Sequence, residues 1–316
     1  MRLAEAVEQF IVACQAAGLA PRTVKWYRGK LRPFVAAHAG LGVEEVSRQQ
    51  VRQYIVALQQ RDRRYEGHPY HVPIKGGLSP FTVRGHVQAI RRLFSWLVEE
   101  GHLSPEANPM LRIPTPRRPQ QPPKGVAMED VRRLIDACAG GSIADRRDLA
   151  VILFLIDTGC RVGGLVSLKP GYLDLERGRA IVREKGDKAR VVAFTDVTAD
   201  AIREWLAVRP AGEEDFVFRA IHSQAPLTGT AVRELIKRRS KRAGVNGRVN
   251  PHAFRHGFAR QYLLNGGDLS TLSQLMGHTD VRITREFYAV YAAEELARLH
   301  RKYSPVAHLF AEEESR

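Results

Sequence analysis

The stretch Ile113 to Gly125, reading IPTPRRPQQPPKG, constrains this chain more than any other feature. Five of its thirteen residues are proline, and it has no apolar periodicity. Proline has no amide N–H to give to a helix or a sheet ladder, and it holds the residue before it extended. No helix or inner strand runs through such a segment. The 316 residues are therefore expected to fold as two bodies, 1–112 and 126–316, joined by a semi-rigid linker over 113–125. All three pieces are basic. Lys and Arg number 16 against 9 Asp and Glu in the first, 3 against none in the linker, and 30 against 25 in the last. A formal net charge of +15 spread in this way favours an anionic partner, nucleic acid or an acidic membrane surface, gripped along the whole chain.

Other function classes fall away on patterning. The most apolar run, Leu149 to Ile156, is eight residues between Asp148 and Asp157, whereas a membrane-spanning helix needs roughly 20. Glu5 and Glu8 sit inside a helical pattern, which is not the pattern of a signal peptide. Cys14, Cys138 and Cys160 are odd in number, widely spaced and form no CxxC pair. They are expected as reduced core thiols of a cytosolic protein, neither disulfide-bonded nor zinc-bound.

The first body reads as four helices. Leu3, Val7, Phe10, Ile11 and Cys14 share one apolar face at helical spacing. Val24, Tyr27, Leu31, Phe34 and Val35 share a second, with Lys25, Arg28 and Arg32 on other faces. Val51, Tyr54, Ile55 and Leu58 form a third behind a Ser47 cap. The fourth opens on Ser79-Pro80, buries Val83, Val87, Ile90, Phe94 and Leu97, and stops at Gly101. A polar loop from Arg61 to Gly77 precedes it; its His68 and His71 have no third ligand in sequence and read as solvated.

The second body is mixed. Helical patterns cover about 128–139, 145–158, 198–208, 229–243, 251–265, 268–277 and 280–300. A hairpin is expected from Arg179–Arg183 and Arg190–Phe194 about a Gly186-Asp187 turn, with a further short strand at Asp215–Phe218. On the helix over 229–243, Arg233, Lys237, Arg238, Arg239, Lys241 and Arg242 read as a basic outer side, opposite Val232, Leu235 and Ile236.

Five features follow one another in this second body: T158-G-C-R161, E184-K185-G186-D187-K188, H252-A-F-R255-H256, G277-H278, and Tyr288 ten residues beyond His278. Their order and spacing resemble the catalytic signature of the tyrosine recombinases, the phage-integrase family. The first body, with GLAPRTVKWY early, LSPFTVRGHVQAIRRLFSWLVEEG late and ANP before the linker, resembles that family's core-binding domain. The resemblance spans nearly the whole chain. It implies a mainly α protein: a four-helix SAM-like core-binding domain, and a mostly helical catalytic domain with a small antiparallel sheet, closed as a C-shaped clamp on double-stranded DNA.

The chemistry of the residues agrees with that resemblance. Breaking a phosphodiester without hydrolysis needs a nucleophile, charge relief at the phosphate and a proton for the leaving oxygen. A tyrosine with an ordinary pKa of ~10 is about one-thousandth ionised at pH 7, a deficit of roughly 4 kcal/mol that its neighbours must offset. Arg161 and Arg255 offer forked guanidinium donors for two non-bridging oxygens, each contact worth ~1.5–3 kcal/mol. His252 and Arg255, three apart, are expected on one helix face, and Asn250-Pro251 before them reads as a cap and first-turn proline.

By resemblance, Tyr288 is the nucleophile of a 3′-phosphotyrosyl intermediate, His252 an acid/base or hydrogen-bond donor, and His278 a supporting donor. Lys185 protonates the leaving 5′ oxygen, with Lys188 as the second lysine in reach. No metal, ATP or other cofactor is implied. Tyr291, one helical turn from Tyr288, is the alternative nucleophile. Lys25, Arg28, Arg84, Arg91, Arg92, Lys237, Arg238 and Lys241 are candidate DNA contacts, and a steep salt dependence follows from such contacts.

After Tyr288, an amphipathic tail carries Leu296, Leu299, Val306, Leu309 and Phe310. In the family such a tail docks on a neighbouring subunit and couples four active sites. That implies a homotetramer or heterotetramer on paired sites, with accessory DNA-bending proteins; packing of the tail on its own domain is the alternative. The family spans phage and mobile-element integrases, transposon recombinases and chromosome-dimer resolvases. One departure stands out: the family places an acid three residues after the first arginine, and here that position is Gly164. Two other functions fit parts of the pattern, a type IB topoisomerase-like relaxing enzyme and a catalytically weakened DNA-binding protein of the same fold.

Overall fold

In the computed structural model the chain divides into two units, Met1–Gln120 and Gln121–Arg316. The structure describes residues 1–64, 72–116, 125–184, 189–211, 216–223, 225–277, 297 and 300.

The first unit holds the four expected helices: α1 (Leu3–Ala16), α2 (Pro21–Ala37), α3 (Arg48–Gln60) and α4 (Pro80–Glu99). Their starts follow local chemistry. Ser47 accepts from the Gln50 amide, and Ser79 accepts from the Thr82 amide ahead of Pro80. Gly101, at φ +73°, lies just beyond the end of α4. The apolar faces meet in one core in which Phe34 touches Tyr54 and Phe94, and Phe10 touches Tyr27 and Trp96. Burying each such side chain contributes roughly 1.5–3 kcal/mol. Two two-residue strands, β1 (Arg63–Arg64) and β2 (Ile74–Lys75), pair antiparallel at the ends of the polar loop. His68 and His71 lie outside the described residues.

The proline segment starts differently from a free tether. Ile113 is buried in the first core, and Arg91 donates to the Ile113 carbonyl and to Thr115 Oγ1. Arg84 donates to the Pro116 carbonyl at 2.7 Å. Proline frees no N–H of its own, but its carbonyl still accepts, and two arginines of α4 hold residues 113–116 to the domain.

The second unit is organised round α6 (Ile143–Thr158), which is buried on several faces and packs on α5 (Met128–Asp136), α8 (Asp196–Val208), α9 (Gly229–Arg242) and α10 (Pro251–Leu264). That central position explains the apolar run Leu149 to Ile156. A five-residue helix, α7 (Val162–Val166), follows α6; VGGLV is too short and too glycine-rich to give a periodic signal. α11 (Leu269–Met276) closes a small second core with α10 through Ala259, Leu263, Leu272 and Met276.

The sheet is three-stranded and antiparallel in the order β3 (Leu173–Asp174), β4 (Arg179–Arg183), β5 (Ala189–Ala193). The hairpin register runs from Arg179↔Ala193 to Arg183↔Ala189. The sheet's third strand comes from Leu173–Asp174, ahead of the hairpin. The stretch expected as a strand at Asp215–Phe218 is irregular from Phe216 on, with a single bridge at Arg219↔Pro226; Asp215 lies outside the described residues. Val217 and Phe218 are buried for a different reason: they fill the core, and the Val217 carbonyl accepts from the Trp205 indole at 2.8 Å.

The first described residues of the second unit, Gly125 and Val126, lie against α10. Val126 N–H donates to the Ala253 carbonyl at 2.9 Å, and Gly125 crosses Gly257 so closely that a Cβ on Gly125 would lie 2.6 Å from the Gly257 nitrogen. Both glycines are needed for that crossing.

Candidate active site

Two helix boundaries build the centre. At the first, α6 ends on Gly159 in the left-handed region, φ +57°, where Phe258 leaves no room for a side chain. Thr158 Oγ1 donates to the Phe154 carbonyl at 2.6 Å and accepts from the Cys160 amide, closing the turn. Cys160 is fully buried, and burial pushes its thiol pKa up, so it is a packed thiol. All three cysteines are free and buried. The turn delivers Arg161 to the N-cap of α7. Its side chain is 39% exposed and pairs with Glu184 Oε2, while its backbone N–H donates to Glu184 Oε1 at 3.3 Å.

At the second boundary, Asn250 caps α10, its Oδ1 accepting from the His252 and Ala253 amides at 3.0 and 3.1 Å, with Pro251 at the first position. His252 is therefore an exposed first-turn residue. Partial burial of its ring and the cations Arg255, Arg233, Arg161 and Arg248 hold its pKa below the ordinary histidine value, so it is neutral at pH 7 and able to accept a proton. Arg255, one turn on, is only 4% exposed. It donates to the Gly159 carbonyl at 2.8 Å and to the Met276 carbonyl at 2.6 Å. It thus ties α10 to the turn before Arg161 and to the end of α11.

Arg190 on β5 makes a parallel tie. It donates to Glu184 Oε1 at 3.1 Å and to the Leu275 carbonyl. The segments that carry the remaining expected residues both leave from this point: Lys185 follows Glu184, and His278 follows Gly277. Lys185, Lys188, His278, Tyr288 and Tyr291 lie outside the described residues, as do Leu296, Leu299, Val306, Leu309 and Phe310. Gly164 is buried, and a Cβ there would meet Val182 at 3.0 Å.

The candidate DNA contacts differ in their surroundings. Lys25, Lys237 and Lys241 are exposed. Arg28 and Arg92 are exposed but pair with Glu8 and Glu99, surface ion pairs worth about 0–1 kcal/mol that a phosphate can displace. Arg84 and Arg91 are engaged with residues 113–116 as described above. Arg238 is exposed and donates to Asp148 at 3.0 Å. The basic side of α9 is not wholly outward: Arg239 is 4% exposed and donates to Asp145 at 2.6 Å and Asp148 at 2.7 Å. The carboxylates of α6 pull it in, because a buried carboxylate needs a counter-charge. Glu184, Arg190 and the Asp145/Asp148 pair carried no role in the sequence reading. Glu184 stood in plain view as the acid beside Lys185 where the hairpin turn begins.

A phage integrase family model matches residues 125–294, and a phage integrase N-terminal SAM-like domain model matches residues 7–102. The chain belongs to the phage integrase family. It is 31% identical over 239 residues to the tyrosine recombinase XerD of Listeria innocua, covering 74% of this chain and 79% of that one. It is 28% identical over 279 residues to the tyrosine recombinase XerC of Xylella fastidiosa, covering 85% of this chain and 86% of that one. In fold it is similar to a XerH site-specific recombinase bound to a palindromic difH substrate in a post-cleavage complex, with a TM-score of 0.70 at 19% identity over 95% of this chain and 84% of the other. The chain is a tyrosine recombinase, an enzyme of site-specific recombination; a relaxing topoisomerase is not favoured. Its fold is mainly α, with a helical SAM-like N-terminal domain and a small antiparallel sheet in the catalytic domain. No described helix is long and apolar enough to cross a membrane.

Proposed function

We propose that this recombinase cuts and rejoins duplex DNA at a specific site through a covalent bond from Tyr288. The Tyr288 oxygen attacks the scissile phosphorus, the P–O5′ bond breaks, and a 3′-phosphotyrosyl link and a free 5′ hydroxyl result. The 5′ hydroxyl of a partner strand reverses the step. Arg161 and Arg255 meet the charge of the phosphate. Neutral His252 takes the tyrosine proton, Lys185 gives a proton to the leaving oxygen, and His278 hydrogen-bonds the phosphate. The ester conserves the bond energy, so the step consumes no ATP.

The convergence of Arg161, His252 and Arg255 at the point where the Lys185 and His278 segments begin carries this reading. In it, residues 1–112 are the core-binding domain, 113–125 the linker and 126–316 the catalytic domain with its tail. Four copies act on paired sites, coupled through the tail, in the cytoplasm.

The site can be selected from random duplex DNA by binding. A selected duplex nicked close to the cleavage point should trap a protein–DNA adduct, because the short fragment diffuses away and blocks reversal. Tyr288→Phe should abolish the adduct and leave site affinity within about threefold. An adduct that survives this change, or that maps to Tyr291, overturns the assignment.

A further inference from the structure

The carboxylate that holds Arg161 comes from the hairpin. Glu184 directly follows β4, its side chain is 6% exposed, and both its oxygens are engaged. Oε1 accepts from the Arg161 backbone N–H at 3.3 Å and from Arg190 at 3.1 Å, and Oε2 accepts from the Arg161 guanidinium. Residue 161 is thus gripped at its backbone and at the far end of its side chain by one group. Successive strand residues alternate faces, so Val182 and Glu184 project to the same side of β4. Val182 covers Gly164, where an acid would have no room unless Val182 moved, and Glu184 reaches Arg161 two residues further along.

We infer that Glu184 is a positioning residue for catalysis, fixing the Arg161 guanidinium where the scissile phosphate binds; this rests on the recombinase reading above. An arginine side chain carries about 2 kcal/mol of rotamer entropy, and an exposed one samples many rotamers. Arg161 is 39% exposed, so a phosphate can reach it from solvent. Glu184 takes its inner side and fixes the fork. The carboxylate does not cancel the charge of the site, because Arg190 also binds it. Two guanidinium groups and one carboxylate leave a net positive charge facing an anion. Arg190, 12% exposed, also donates to the Leu275 carbonyl, so the same brace reaches the chain just before His278.

Single-turnover adduct formation on the nicked, selected duplex at saturating DNA tests this, alongside site affinity and thermal melting. Glu184→Ala should slow adduct formation about 10- to 100-fold, the loss expected from a misplaced catalytic group, while affinity stays within about threefold. Glu184→Gln, which keeps shape and one acceptor, should fall between wild type and Ala, and Glu184→Asp should retain more rate than Ala. In an Arg161→Lys background Glu184→Ala should add less than about threefold, because its effect passes through the guanidinium fork. A merely structural brace would cost the same factor in both backgrounds and would lower affinity with rate. That result, or an unchanged rate in Glu184→Ala, overturns the inference. If Glu184→Ala does not fold, the near-isosteric Gln variant in both backgrounds decides it. A wild-type protein that forms no adduct overturns the recombinase mechanism itself; wild-type adduct with unaffected Glu184 variants overturns only the role of Glu184.

Discussion

Arg161 and Arg255 look equivalent in sequence, as two arginines for one phosphate, but their surroundings separate them. Arg255 is buried and donates to two backbone carbonyls on different helix ends, so it is a strut as well as a candidate phosphate ligand. Removing it leaves two carbonyls without their donor in a dry site, at about 1–3 kcal/mol each. Arg255→Ala should therefore lose cleavage and also about 2–4 kcal/mol of stability. Arg161→Ala should lose cleavage with a stability change nearer 1 kcal/mol, since the Glu184 carboxylate keeps Arg190. Thermal melting of the two variants beside their single-turnover rates checks the contrast; equal melting losses would remove the strut role. The sequence does not mark this difference; it comes from Arg255 lying on α10 where it reaches the ends of α6 and α11.

At the scale of elements, α6 and α9 are joined by charge as much as by apolar contact. Asp148 is fully buried and accepts from Arg147, Arg238 and Arg239, while Asp145 accepts from Arg239 and from Ser142. The Ser142 hydroxyl, followed by Arg239, holds the Asp145 carboxyl down at about 2. Its folded pKa lies below the unfolded value, so its contribution to stability is present above pH 4 and fades only as pH falls towards 2. Asp148→Ala should cost about 3–5 kcal/mol, because it leaves Arg239 buried with half its counter-charge. Denaturant unfolding of the variant at pH 7 measures this, and a loss under 1 kcal/mol would mean the pair is not what joins the helices. Another element-scale contact reaches the start of α8. Asp157 on α6 accepts from the Thr195 amide and hydroxyl and from the Thr198 hydroxyl, capping α8 from outside, since Thr195 makes no side-chain cap of its own.

The two units have separate cores, one from Leu3 to Ile113 and the other from Val126 onward. The fragments 1–116 and 125–316 should therefore each unfold cooperatively on their own. Both are basic, so each should bind duplex DNA of arbitrary sequence with an affinity that falls as salt rises. The slope of log affinity against log salt should be about −0.9 per phosphate neutralised, smaller for either fragment than for the whole chain. Titration at several salt concentrations measures it, and a fragment whose affinity ignores salt would exclude its unit from the electrostatic contact. Residues 113–116 belong to the first fragment, because Arg84 and Arg91 hold them there.

The sequence by itself determined the proline-rich break in the chain, the four helices and caps of the first unit, the hairpin of the second, and the order of the candidate catalytic residues. Each of these is written in residues a few positions apart, through proline's missing N–H, the 3.6-residue period, or a serine or asparagine oxygen meeting an amide two or three residues on. The five-residue α7, the two-residue β3 and the irregular 216–218 were illegible because elements that short carry no period. Only the tertiary structure decided which charges turn inward. Arg161 finds Glu184 23 residues away, Arg255 finds Gly159 96 away, and Arg239 finds Asp148 91 away. Periodicity counts every arginine as an outer residue. A folded core can hold one inside when a carboxylate or a carbonyl from a distant element waits there, and chain separation hides that partner until the helices pack.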